Sequence, residues 1–255
     1  MTFFKTFAAA AAGVGAMLGA AFAGNIVVNN DEWTWSDTGF MTAGDVSTAN
    51  FAINVAEFIA GPGGTIHAYT NNFGFSQSKL ATTLTDAGFT YSTGNGFAFT
   101  EANLAGYDAI FLGGYYLSAT EIAVLQSFIA DGGGVYLAGG TAAGGGAAGE
   151  AAAWNPFLGA YGLEFETVYN GVGGNIDTSG FAHEIFDAAS PLYQNNGNSI
   201  RKNGGSAEVF GNDNDQNGHL YAVVEMEGVT VSEPALIGLF GLGLIGLGFA
   251  RRRTA

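Results

Sequence analysis

Residues 107–140 read YDAIFLGGYYLSATEIAVLQSFIADGGGVYLAGG, and they set the fold class. Asp108–Leu112 is a short run, apolar from Ala109 onward, that ends in Gly113-Gly114, the pattern of a strand buried on both faces. Ser118-Ala119-Thr120-Glu121 is a capping box, so a helix opens there and runs to Ala130. Its apolar stripe is Ile122, Leu125, Phe128 and Ile129, and Gly132 to Gly134 stop it. Val135–Ala138 is a second buried strand. Strand, helix and strand within about thirty residues make a βαβ unit, which calls for a parallel sheet.

The same alternation extends in both directions. Upstream, Ile26–Asn29 forms a first strand, Asn50–Ala60 a first helix and Thr65–Thr70 a second strand. Ser76 is placed to cap a helix through Asp86, with Leu80 and Leu84 on one face and Gly88 beyond its end. Phe89–Ser92 is another strand, and a helical turn is expected near Thr100–Ala105. Downstream, a Gly/Ala-rich loop leads to a helix near Glu150–Leu158 and a strand at Leu163–Tyr169. After residue 180 the pattern changes. Turn clusters occupy Gln194–Asn198 and Asn203–Ser206, and Ala207–Glu225 reads as a hairpin that closes the edge of the same domain. The fold class expected is α/β, with a mainly parallel sheet between two helical layers.

The chain carries 22 acidic and 7 basic residues, and from Gly24 to Pro234 the cations are Lys79, Arg201 and Lys202. Such a surface repels phosphate backbones, which excludes nucleic acid as a partner. The chain has no Cys, so it has neither disulfides nor thiolate chemistry. With 21 Phe, 10 Tyr and 3 Trp it holds enough aromatic mass for a packed core despite 42 Gly.

Both ends read as addresses. Residues 1–23 combine Lys5, an apolar run from Phe7 to Ala20, and the small-x-small triplet Ala21-Phe22-Ala23. That is a signal helix cut by signal peptidase before Gly24. At the other end, Ala235 to Ala250 has no polar side chain and is followed by Arg251, Arg252 and Arg253. As a helix the span 235–250 covers roughly 24 Å, short of a bilayer core of about 30 Å. The arginines hold the tail on the cytoplasmic side of the inner membrane. Five glycines, at positions 238, 241, 243, 246 and 248, weaken the span as a helix.

Ser232-Glu233-Pro234, the short Leu/Gly-rich span and the terminal arginines together resemble the PEP-CTERM sorting signal, with Ser232 where that family usually has Pro. The resemblance implies export in a Gram-negative cell that makes exopolysaccharide. It also implies a transient stay in the inner membrane, processing by an exosortase, and delivery to the cell surface or extracellular matrix. The chain is therefore expected to divide into a signal peptide (1–23), an α/β domain (24–230) and a sorting segment (231–255).

Residues 107–140, with NPFLGAYGLEFE (155–166) and HEIF (183–186), resemble the class I glutamine amidotransferase-like superfamily and its ThuA-like branch. That resemblance covers residues 60–190 and implies a flavodoxin-like three-layer sandwich. In catalytic members a Cys follows the strand matching Val135–Ala138. Here the turn is Gly139-Gly140-Thr141-Ala142, so no catalytic residue is assigned. Thr141 would need an adjacent base to act as a nucleophile.

The Gly-rich run GGTAAGGGAAGE has no Lys to meet a phosphate. His67, His183 and His219 are scattered, and His183-Glu184 reads as a capping or surface pair. GNDNDQNGHLYAVVE (211–225) partly imitates an EF-hand loop. Asp213, Asp215 and Asn217 take the first, third and fifth positions, but Val224 stands at the twelfth, so calcium is a weak candidate and no other cofactor is implied. The expected function is a non-catalytic surface or matrix protein associated with exopolysaccharide. The alternatives are an exported hydrolase or carbohydrate-processing enzyme, and a calcium-dependent binding module.

Overall fold

A strand that is apolar at every position must be covered on both faces. The computed structural model describes residues 24–214 and 218–226 and places the runs AIFL and VYLA side by side within a nine-stranded sheet. In chain order, β1 (Ile26–Asn29) leads through a 3-10 turn at Glu32–Trp35 to α1 (Asp37–Ala43) and α2 (Asp45–Ala60). Then come β2 (Thr65–Ala68), α3 (Phe73–Ser76), α4 (Ser78–Asp86), β3 (Thr90–Thr93) and α5 (Glu101–Leu104). β4 (Ala109–Leu112), α6 (Ala119–Ala130), β5 (Gly134–Ala138) and α7 (Ala147–Leu158) follow. The remainder is strands: β6 (Leu163–Tyr169), β7 (Gly173–Ile176), β8 (Leu192–Asn195), β9 (Asn198–Lys202), β10 (Glu208–Asn212) and β11 (His219–Val224).

The sheet runs β3-β2-β4-β5-β1-β11-β9-β6, with β10 also on β11, and β7 and β8 form a separate pair. From β3 to β1 every pairing is parallel, while β1–β11, β11–β9, β9–β6 and β10–β11 are antiparallel. The result is a mixed α/β fold with a largely parallel central sheet.

Side chains alternate across the strands, as a two-residue period requires. Val27, Ile66, Ala109, Phe111 and Tyr136 pack with Phe40, Phe51, Val55, Leu80 and Leu84 of α1, α2 and α4. Val28, Ile110, Leu112, Val135 and Leu137 pack with Leu104, Ile122, Leu125, Trp154 and Phe157 of α5, α6 and α7. In the first layer Trp35 stacks on Tyr136 with ring centroids 3.8 Å apart, and it also meets Phe51, Phe75 and Phe111.

Several local expectations are met. Ser118 and Glu121 form the capping box, and Ile122, Leu125, Phe128 and Ile129 are buried. Asn155 on α7 donates to Phe165 O and accepts from Phe165 N (3.0 and 2.7 Å), tying α7 to β6.

Other details differ. The helix expected at Asn50–Ala60 is α2 and starts at Asp45, five residues earlier, after Gly44 with φ 107°, and α1 at Asp37–Ala43, ahead of it, was not expected. Ser76 ends α3, and the backbone of Gln77 precedes α4. β2 stops at Ala68 because Thr70 N–H turns back to Ala68 O and its hydroxyl donates to Gly113 O. The 207–225 hairpin forms as β10 and β11. It does not close an edge, because β11 inserts beside β1, with Ile26 opposite Val224. The sequence could not show this, since the partners are about 200 residues apart.

The expected signal helix, the apolar span 235–250, the sorting residues Ser232, Glu233, Pro234 and Arg251–Arg253, and Ala21, Ala23, Asp215 and Asn217 lie outside the described residues. Among the described residues no helix is long and apolar enough to cross a membrane.

Candidate functional site at the carboxyl ends of the parallel strands

In an open parallel sheet, ligands bind beyond the carboxyl ends of the strands, where the connections diverge. Here the chain leaves β2 toward β3 on one side and leaves β4 toward β5 on the other, so the divergence lies between β2 and β4. The segments that meet at this end follow β1 (Asn30–Glu32), β2 (Tyr69–Asn72), β4 (Gly113–Tyr116) and β5 (Gly139–Thr141).

Three carboxyl groups gather here: Asp31, Glu32 and Glu150. All are buried. Asp31 caps the 3-10 turn by accepting from Trp33 N–H (2.9 Å), and it also accepts from Asn195 N–H. Glu32 accepts from the Asn72 side-chain amide. Glu150, in the first turn of α7, accepts from the hydroxyl of Thr141 at 2.6 Å and from its N–H.

Loss of water dominates the ionisation of all three. Burial pushes Asp31 up to about 6, against the hydrogen bonds from Trp33 and Asn195. It pushes Glu32 up to about 7, with the Asn72 bond opposing and the charges of Asp31 and Glu150 adding. Glu150 also rises to about 7, opposed by its bonds from Thr141 and Gly140 and raised further by Asp31. The ion pairs among the described residues are Lys79–Asp45, His183–Glu225 and Arg201–Glu166, none of which includes a member of the trio. Carboxyl groups held at this point of titration can give or take protons near neutral pH.

Around the trio lie half-exposed aromatics. Trp33 and Phe73 meet edge to face at 4.7 Å, and Tyr115 packs on Tyr69. Tyr116 is pushed up to about 12 by burial, by Glu150 and by Tyr169. Beneath is a buried amide network. Asn29 donates to Thr34 and to the hydroxyl of Tyr136, and Gln194 donates to the hydroxyl of Tyr221 at 2.7 Å. Both polar atoms of the Asn30 side chain are buried without a protein partner. At the β5 turn, Gly140 has φ 71°, and a Cβ there would stand 2.9 Å from the Gly197 Cα, so the loop can pass only as glycine.

The histidines lie elsewhere. His67 is bonded to Ser92 Oγ (2.8 Å) and Gly94 O (2.7 Å), and burial holds it below the usual imidazole range. His183 caps the 3-10 turn at Glu184–Phe186, in line with the capping reading, and its Nε2 lies 3.4 Å from Glu225 Oε1. His219 contacts Gly211 O at 3.3 Å. Asp213 is buried and accepts from the Ser199 hydroxyl at 2.6 Å. Among the described residues no group of three or more His, Asp or Glu is arranged to hold a metal ion. A cleft of about 340 Å³ lined by Glu101, Tyr107, Asp108, Phe128 and Asp131 lies at the opposite, amino end of β4 and β5.

The carboxyl trio was not legible as a site. An Asp-Glu pair after a strand and a Glu at a helix start both look like ordinary solvated charges. The available signal was that Asp31 and Glu32 stand among Trp33, Trp35 and an apolar strand, which leaves them little water.

Residues 230–253 match the PEP-CTERM protein-sorting motif. The match indicates an exported protein, anchored transiently in a membrane and processed by exosortase. No curated protein and no solved structure matches the chain. The amidotransferase-like resemblance of residues 60–190 therefore finds no support in these comparisons.

Proposed function

We propose that this protein is a cell-surface or extracellular-matrix component whose α/β domain, of flavodoxin-like type, associates with exopolysaccharide through the carboxyl-end site. One observation carries the reading: Asp31, Glu32 and Glu150 are buried together, and none of them is in an ion pair. Such a group is costly to keep, and proteins keep costly polar groups mainly where they act. Carboxyl and amide groups beside aromatic faces suit a polyhydroxylated ligand. The half-exposed rings of Trp33 and Phe73 would cover the apolar face of a sugar, and the half-exposed Asn72, Tyr116 and Thr141, which border the buried trio, would meet its hydroxyls. The acidic surface disfavours uronic acids, so neutral or amino sugars are the expected class. Calcium at Asp213, Asp215 and Asn217 would be an accessory to such binding.

The test is retention of the secreted protein on the host's own exopolysaccharide and on an array of neutral, amino and acidic oligosaccharides. Binding to neutral or amino sugars, lowered by Trp33→Ala and Phe73→Ala, supports the proposal. An array with no retained glycan, and no binding to the native polymer, refutes it.

A second reading, an exported hydrolase, is favoured by the Thr141–Glu150 contact. The sequence offered Thr141 without a base, and Glu150 stands where one is needed.

A further inference from the structure

The first residue expected to survive signal-peptide removal, Gly24, is built into the fold. Its N–H donates to Ile129 O at 2.8 Å, and the residue is buried. A Cβ on Gly24 would stand 1.8 Å from Gly133 O, so a second carbonyl lies directly against it. Ile129 belongs to the last turn of α6, the helix that carries the capping box at its other end.

That end of α6 is electrostatically unfinished. The last carbonyls of a helix carry partial negative charge, which a cation normally complements. α6 has no basic residue in its last turn, and the residue that caps it is Asp131. Asp131 N–H and Gly132 N–H turn back onto Ile129 O, but no positive charge follows them. With three cations between Gly24 and Pro234, the body has few to offer.

Cleavage before Gly24 would make one. In the precursor this nitrogen is a neutral amide, and after cleavage it becomes an α-ammonium donating to Ile129 O, in the last turn of the helix that Asp131 caps. We infer that removal of the signal peptide completes the fold: the new α-ammonium of Gly24 docks on the carboxyl end of α6 and stabilises the mature domain. The bond that breaks is the Ala23–Gly24 peptide, hydrolysed by signal peptidase with water, and the new amine takes a proton from solvent. The site's ligand is the chain's own terminus. Gly is required because any side chain would meet Gly133 O. β1 begins two residues later and lies between β5 and β11, so the docked terminus anchors an inner strand.

The inference stands apart from glycan binding and is tested on the secreted, processed protein. Its terminus is first sequenced, and a start at any residue other than Gly24 overturns the proposal. Denaturant unfolding is then compared for the free protein and for the same protein acetylated at its α-amine. Acetylation keeps the N–H that reaches Ile129 O and removes only the charge, so a purely structural hydrogen bond would show no change. The expected result is a folded-to-unfolded ratio roughly fivefold lower after acetylation, the size of one helix-end charge. The loss should shrink in high salt and in Asp131→Asn, which removes the negative charge of the residue that caps the same helix end. Identical unfolding of free and acetylated protein, or a loss untouched by both salt and Asp131→Asn, overturns the proposal.

Discussion

The hydroxyl of Thr141 donates to Glu150 Oε1 over 2.6 Å, and burial has brought that carboxyl up to about 7. The pair sets a hydroxyl against a candidate base, and it separates the two functional readings. If the domain is a hydrolase, a chromogenic acyl ester should be turned over, with Thr141→Ala and Glu150→Gln each lowering the rate by roughly 10²-fold or more. Thr141→Ser should retain activity. If the domain only binds, neither variant changes a background rate, and glycan retention persists in Thr141→Ala. Intact mass after incubation with the ester reads out an acyl adduct on Thr141 directly.

The trio also sets a pH dependence. Asp31, Glu32 and Glu150 all have folded values above their ordinary ones, about 6, 7 and 7. The folded state therefore binds more protons than the unfolded state in the window from about pH 4 to 7, and stability must fall as pH rises through it. For a carboxyl as fully buried as Glu150, each tenfold loss of acidity on folding is worth about 1.4 kcal/mol. Denaturant midpoints should decline from pH 5 to pH 7.5 and then level off. The double variant Glu32→Gln, Glu150→Gln, which mimics the protonated forms, should flatten most of that decline. A midpoint that rises across the same window would show that the carboxyls are stabilised as anions.

The capping box at Ser118 gives a purely local prediction. Its hydroxyl and N–H both meet Glu121, and Glu121 N–H returns to the hydroxyl at 3.3 Å. Ser118→Ala should cost about 1 kcal/mol, and Glu121→Gln much less, because an amide oxygen still accepts from Ser118. The measurement is the change in denaturant midpoint at pH 7.

This box was readable because everything it needs lies within four residues. The same holds for Leu80 and Leu84 on α4, and for the two-sided burial of β4 and β5, which follows from consecutive apolar residues. What the residues could not announce is set by distant partners. β11 resembles any hairpin strand until it is seen beside β1, and His219 meets Ile200 of β9 only through that placement. The shift from Ser76 to Gln77 at α4 has a similar origin. The Ser76 hydroxyl donates to Asn72 O at 2.9 Å, so it is not free to cap the next helix. The carboxyl trio escaped notice because burial of a charge is a property of the finished fold.

Gly24 carries a steric prediction that is independent of its charge. With Gly133 O only 1.8 Å from a built Cβ, Gly24→Ala must push the chain away from the end of α6. Overpacking of this kind costs roughly 1–3 kcal/mol. Ala at this place leaves the small-x-small triplet Ala21-Phe22-Ala23 intact, so cleavage should proceed while the secreted product unfolds at lower denaturant.

The last prediction concerns the tail matched to the sorting motif, residues 230–253. Described structure ends at Met226, whose N–H donates to Asn25 Oδ1 at 3.3 Å, so β1 and β11 leave the sheet as neighbours at one end. The motif begins four residues further on. By the positive-inside rule the three arginines are expected to hold the end of the chain on the cytoplasmic side, which would put Ser232-Glu233-Pro234 on the opposite face, within reach of a membrane-embedded transpeptidase. In cells that possess an exosortase, mass spectrometry of the delivered protein should find no peptide containing Arg251. Replacing Arg251, Arg252 and Arg253 with Ser removes the charge that fixes the topology, and should leave uncut or mis-sorted precursor. Ser232→Pro restores the usual first residue of the motif and should speed processing if the enzyme reads that position. Normal cutting and delivery of the triple Ser variant would show that the arginines do not orient the segment.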